Sequence, residues 1–220
     1  PASCGRGDHH VHVRIENRTE VVLPRRAVPN PTPNLNPGGD CGPCVLAGVL
    51  GLSSPQAVYD EHFGSKPCSI GYGEMQRILR VENGRRLDRI IEHPPTWLGS
   101  DGEYTAWLGA FGWAAWRMAE PWFRHLQMAV DAGYYGLAQV DSTKTGGDAQ
   151  GGPDHWVMLC GARSWVEWTD RPEGRSSGKP VQQVLVSCSA RSTPDEEWVC
   201  VREFLRERGG FSTIYARPTT

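Results

Sequence analysis

The sequence predicts one α+β domain in which short helices precede an antiparallel sheet. Three observations carry that expectation. Between Cys41 and Glu82 apolar residues recur at helical spacing in short blocks, and from Gly136 to Ser189 they fall in strand-like runs separated by polar and glycine-rich turns. The third is composition: 220 residues with 39% hydrophobic and 22% charged side chains suffice for a substantial core. Residues 1–35 read as N-terminal strands and a proline-rich lead-in, and residues 36–220 as the main domain.

Taken in order, HHVHVRIENRTEVVLP (His9 to Pro24) alternates as one or two strands with a turn near Asn17. Pro29, Pro31, Pro33 and Pro37 then exclude regular structure between Arg25 and Gly39 and leave an extended approach to Asp40. Val45, Leu46, Val49 and Leu50 define a buried helix that begins at Cys41 and stops at Gly51. SSPQAVYDEHF is a second helix, capped by Ser53 or Ser54 with Pro55 in its first turn, and GYGEMQRILRVENG is a third. Trp107, Phe111, Trp113, Trp116, Trp122 and Phe123 lie on two helical patterns broken before Pro121, and core packing accounts for them better than a cofactor box. GLAQVD (Gly136 to Asp141) is a short strand followed by a flexible loop. His155 to Trp168 is a long strand that returns through RPEGRSSGK into Val181 to Ser189. Pro194 to Arg208 reads as helix, and FSTIYA closes the sheet.

The formal net charge of −2, with basic residues dispersed, gives no reason to expect a nucleic acid or an anionic membrane as partner. ENGRRLDR (Glu82 to Arg89), the densest charged cluster, reads as a solvated surface. No apolar run approaches the roughly 20 residues that span a bilayer, and no signal-like apolar segment opens the chain. Seven irregularly spaced cysteines do not resemble a secreted disulfide framework, so a reducing, cytoplasmic compartment is expected.

NPGGDCGPCVLAGVLG (Asn36 to Gly51) contains CGPC, the four letters of the thioredoxin redox centre. A thioredoxin places them directly after a buried strand; here the proline-rich loop precedes them, and prolines remove the ladder donors a central strand needs. A nucleophile fits better. A thiol in the first turn of a helix feels the positive end of the helix dipole, which favours the thiolate, and Cys41 has that position. His155, at the start of a strand after a glycine-rich loop, can supply a base at the sheet edge.

With DCGPCVLAGVLG, GLAQVD, HWVMLCG and the closing strand, helix and strand in this order, the chain resembles the papain-like cysteine peptidases, in particular their bacterial C39-like branch, over most of Asn36 to Ala216. The resemblance implies a papain-like fold whose helix tip carries the nucleophile against an antiparallel sheet. It implies a peptide or protein substrate, Cys41 as nucleophile, His155 as base and acid, and the Cys41 N–H as an oxyanion donor. That family commonly has Gln a few residues before the nucleophile, where this chain has Leu35 between Asn34 and Asn36; either Asn can donate, and Asn36 is closer. It also has Asp or Asn at the end of the strand after the His, where this chain has Ser187, Cys188 and Ser189. Ser187 is the first candidate to orient His155, with Asp195 in reserve.

The remaining candidates have plainer readings. His9, His10 and His12, with Cys4 and Asp8, sit where zinc could bind, but no second ligand pair occurs at zinc spacing and a polar strand suffices. His62, His93 and His125 are isolated, with surface or capping roles, and Cys68, Cys160, Cys188 and Cys200 read as buried thiols. No metal or cofactor is called for. The same dyad supports hydrolysis, deamidation or acyl transfer, and a papain-like domain that only binds is the alternative from another class.

Overall fold

The computed structural model describes residues 13–26, 28, 31, 33–36, 39–93, 114–141, 153–170, 176–188, 195–208 and 213–219. Its fold is α+β. The elements run β1 (Val13–Val22), α1 (Cys41–Leu50), α2 (Pro55–His62), α3 (Tyr72–Glu82), β2 (Leu87–His93), α4 (Ala114–Asp131), β3 (Tyr135–Asp141), β4 (Pro153–Asp170), β5 (Ser176–Cys188), β6 (Asp195–Cys200), α5 (Val201–Arg208) and β7 (Thr213–Pro218).

The strands form an open antiparallel sheet in the order β2-β7-β3-β4-β5-β6. β4 is long enough to pair twice along one edge. Its first half meets β3, with Val140 opposite His155, and its second half meets β1, with Val22 opposite Gly161.

Strand alternation divides the core into two layers. Leu137, Trp156, Met158, Cys160, Leu185 and Ile214 face α1, α2 and α3, where Leu46, Val49, Val58, Met75, Ile78 and Leu79 pack on them. Ala138, Val140, Val157, Leu159, Val184 and Val186 face the opposite way, toward Phe123, Leu126 and Val130 of α4 and Phe204 and Leu205 of α5. Buried apolar surface at roughly 25 cal/mol per Å² makes these layers the main source of stability. Among the described residues no single helix is long and apolar enough to cross a membrane.

Several sequence expectations change. His9–Pro24 yields one strand over its described part; Asn17, at φ 54°, lies where the β1–β4 register shifts between Glu16 and Thr19, so the expected turn is a bulge. Pro121 lies inside α4, which continues through it: Ala119, Phe123, Leu126 and Val130 share one buried face, and that burial holds the helix together despite the missing N–H. Asp195–Cys200 is a strand where helix was expected, because the ladder with β5 outweighs helix propensity in DEEWVC. β2 was not foreseen: LDRIIEH pairs with β7 and makes that strand internal. The charged cluster is not a uniformly solvated surface, since the Glu82 side chain is 0% exposed.

Of the aromatic cluster, Phe123 is buried and Trp122 packs on Phe204, whereas Trp107, Phe111 and Trp113 lie outside the described residues, as does the side chain of Trp116. His9, His10 and His12, with Cys4 and Asp8, also lie outside them.

Candidate active site

The loop before α1 is organised by one buried carboxylate. Asp40 is the residue before the helix, but its side chain does not cap it. It turns back instead: Oδ2 accepts the Leu35 N–H at 2.6 Å, and Oδ1 accepts the Asn36 N–H at 3.2 Å and the Tyr59 hydroxyl at 2.5 Å. Burial, and next the bond to Asp40, push the Tyr59 hydroxyl well above its ordinary value, so it stays a neutral donor. A proline-rich segment with few backbone bonds of its own is thereby fixed to α2.

Cys41 is the first residue of α1 and half-buried, while Cys44, one turn on, is 0% exposed. Cys44 N–H donates to the Asp40 carbonyl at 2.8 Å. The first N–H groups of a helix have no intrahelical acceptor, so those of Cys41 and Gly42 point out of its end, and Pro43 has none to offer. The helix tip sits against β4. A Cβ built on Gly42 would lie 3.3 Å from Trp156 Cδ1, and Trp156 is itself pinned by its Nε1–H bond to the Ile70 carbonyl at 2.8 Å and by stacking on Tyr72. Cys41 and His155 are the immediate chain neighbours of that contact.

His155 is 7% exposed, and its Nε2 lies 3.1 Å from Cys188 Sγ. By register His155 shares a face with Val140, and Cys188 packs on that same layer. Cys41 belongs to the α1 layer. The β3–β4 ladder shifts register between Val140 and Asp141, directly beside His155.

The residue beside His155 is therefore Cys188, not Ser187. Ser187 pairs with Met158 in the ladder and alternates onto the α1 face with Leu185; its buried Oγ makes no hydrogen bond among the described residues. Asp195 is the register partner of Cys188, and its side chain lies outside what the structure describes. The sequence offered a signal for Cys188 that reading by residue type missed: it ends β5, the strand paired with β4, and a half-buried thiol there meets the imidazole.

Asn36 is buried, and its Nδ2 donates to the Gly39 carbonyl and to Ser69 Oγ, both at 3.2 Å. Those bonds brace the loop; an oxyanion role would require exchanging one of them. Among the other thiols, Cys160 is buried and pushed up to about 12 by that burial, Cys68 is half-buried and raised for the same reason, and Cys200 is exposed, contrary to expectation. His125 is half-buried and set edge-on to Tyr215, and His62 is no surface group, its side chain being 5% exposed.

A cleft of about 690 Å³ opens near the other end of α1, lined by Arg26, Asp88, Tyr135 and Arg217 among others, and includes neither Cys41 nor His155. Compared with protein-family models, curated proteins and solved structures, the chain matches none of them.

Proposed function

We propose that the protein is a thiol-dependent hydrolase of peptide or amide bonds, with Cys41 as nucleophile, His155 as base and acid, and Cys188 holding the imidazole. The observation that carries this reading is the buried His155 ring, tethered through Nε2 to Cys188 at 3.1 Å, one residue from the Trp156 contact with the tip of α1. Nδ1 is then the nitrogen to face the Cys41 sulfur around the sheet end.

In the reaction, His155 takes the Cys41 proton as sulfur adds to the carbonyl carbon, and the N–H groups at the helix tip stabilise the oxyanion. The C–N bond breaks as His155 passes the proton to the leaving amine. Water, deprotonated by His155, cleaves the thioester to the acid and restores the thiol. A different acceptor in place of water gives acyl transfer, and a primary amide substrate gives deamidation.

A catalytically silent binding domain is favoured by one feature, the engagement of the Asn36 amide within its own loop. A dithiol shuttle is the weakest reading: α1 follows a loop, and the described strand ladders are antiparallel.

The test is bifunctional alkylation with 1,3-dibromoacetone, read by peptide mapping, beside labelling with a vinyl sulfone at neutral pH. A Cys41–His155 crosslink with preferential Cys41 labelling is expected. Absence of the crosslink, with Cys41 no more reactive than exposed Cys200, refutes the hydrolase.

A further inference from the structure

A second cluster lies where α2 and α3 end. Glu61 and His62 close α2, Glu82 closes α3, and one potential ligand atom from each lies within 4.8 Å of the other two. Both helix C-termini direct their negative dipole ends toward the cluster. The His62 side chain is buried, and its Nε2 makes no hydrogen bond among the described residues. It faces Glu82 Oε1 at 3.6 Å, too far for a hydrogen bond.

That spacing fits a different geometry. Two ligands of one tetrahedral zinc ion, each about 2.0–2.2 Å from the metal, are separated by roughly 3.3–3.6 Å. We propose that Glu61, His62 and Glu82 form a binding site for a divalent transition-metal cation of the zinc class, bridging α2 to α3, with a water in the fourth position on the exposed Glu61 side.

The arrangement already attracts a cation. Arg86 Nη1 lies 2.6 Å from Glu61 Oε2 and 3.2 Å from Glu82 Oε2, and Nη2 lies 3.1 Å from Glu61 Oε1. Arg85 Nη1 reaches Glu82 Oε1 at 3.3 Å. Neither arginine gives the His62 nitrogen an acceptor. A metal ion would satisfy it, neutralise both carboxylates and displace Arg86, so Arg86 is an internal competitor for the site. The competing account is a protonated His62 paired with Glu82, which needs no metal.

The experiment uses chelator-stripped full-length chain titrated with Co²⁺, a spectroscopic substitute for zinc, and with Zn²⁺ in competition with a chromophoric chelator. One equivalent should bind with visible d–d bands but without thiolate charge-transfer absorption, which separates this site from the cysteines. His62→Gln should weaken that equivalent at least tenfold, Glu61→Gln several-fold, and Arg86→Gln should tighten it. Zn²⁺ should also raise the melting temperature of the wild-type chain more than that of Glu61→Gln. Because Glu61 is surface-exposed, its variant provides the decisive comparison if His62→Gln fails to fold. Equal binding by wild type and Glu61→Gln, no binding at all, or weaker binding after Arg86→Gln overturns the proposal.

Discussion

Gly48 offers a test in which two physical effects act with opposite sign. Glycine inside a helix is disfavoured relative to alanine by about 0.8–1.0 kcal/mol, so Gly→Ala normally stabilises. At Gly48 the added Cβ would lie 2.1 Å from the Arg26 carbonyl oxygen and 3.0 Å from Met158 Cε. The methionine end can move aside, but the carbonyl belongs to the backbone of the segment leading into the proline-rich loop. That segment is tied down nearby by the Leu23 N–H bond to the Cys160 carbonyl and the Tyr135 hydroxyl bond to the Pro24 carbonyl. The contact must open by about 0.9 Å to reach even 3.0 Å. Overpacking against a fixed neighbour costs about 1–3 kcal/mol, and a backbone obstacle places Gly48→Ala at the upper end. Net of the propensity gain, a loss of about 2 kcal/mol is expected. At about 2–4 °C per kcal/mol for a chain of this size, the melting temperature should fall by roughly 4–8 °C. Gly73 in α3 is the internal control, because a Cβ there meets nothing within 4 Å. Gly73→Ala should stabilise by up to about 1 kcal/mol. Thermal and urea unfolding followed by far-UV circular dichroism measure both. If Gly48→Ala stabilises as Gly73→Ala does, α1 is not seated against the Arg26 segment, and the account of how Cys41 is held fails with it.

Other expectations follow from single contacts. Tyr59→Phe removes a 2.5 Å donor from buried Asp40 while keeping the ring, so a loss of about 1.5–3 kcal/mol is expected in urea unfolding; a change below about 0.5 kcal/mol would show that the bond contributes nothing net. Cys188→Ala should lower kcat and shift the pH profile, with Cys188→Asn restoring both, whereas equal effects of the two variants would mean that the position only packs. Cys41→Ala should abolish hydrolysis with the fold intact, while buried Cys44→Ala should cost about 1 kcal/mol of stability and leave activity in place; loss of activity in both variants would point back to a dithiol. Alkylation near pH 8 should reach Cys160 last, since burial lifts its pKa to about 12, and early modification there would contradict its buried position.

The sequence by itself determined the elements whose signals are local. Gly51 does stop α1, adopting φ 70°, and Ser54 does cap α2, its side chain accepting the Ala57 N–H at 3.3 Å, because such ends depend on a few adjacent residues. β3, β4 and β5 were legible from alternation, and Cys41 at a helix tip was legible from the start of the apolar helix. Tertiary structure decided what depends on partners distant in the chain. β2 and β6 are strands because β7 and β5 complete their ladders, and DEEWVC carries no local pattern that would reveal it. α4 passes through Pro121 because burial of its apolar face outweighs one lost hydrogen bond. The partner of His155 turned on strand parity: one step along β5 exchanges Ser187 for Cys188 and moves the side chain through the sheet, a choice fixed by the β4–β5 register, whose shift between Leu159 and Gly161 no local pattern announces. Glu82 and His62, an ordinary charged cluster and an isolated histidine in the chain, become a buried pair because α2 and α3 end at the same place in space.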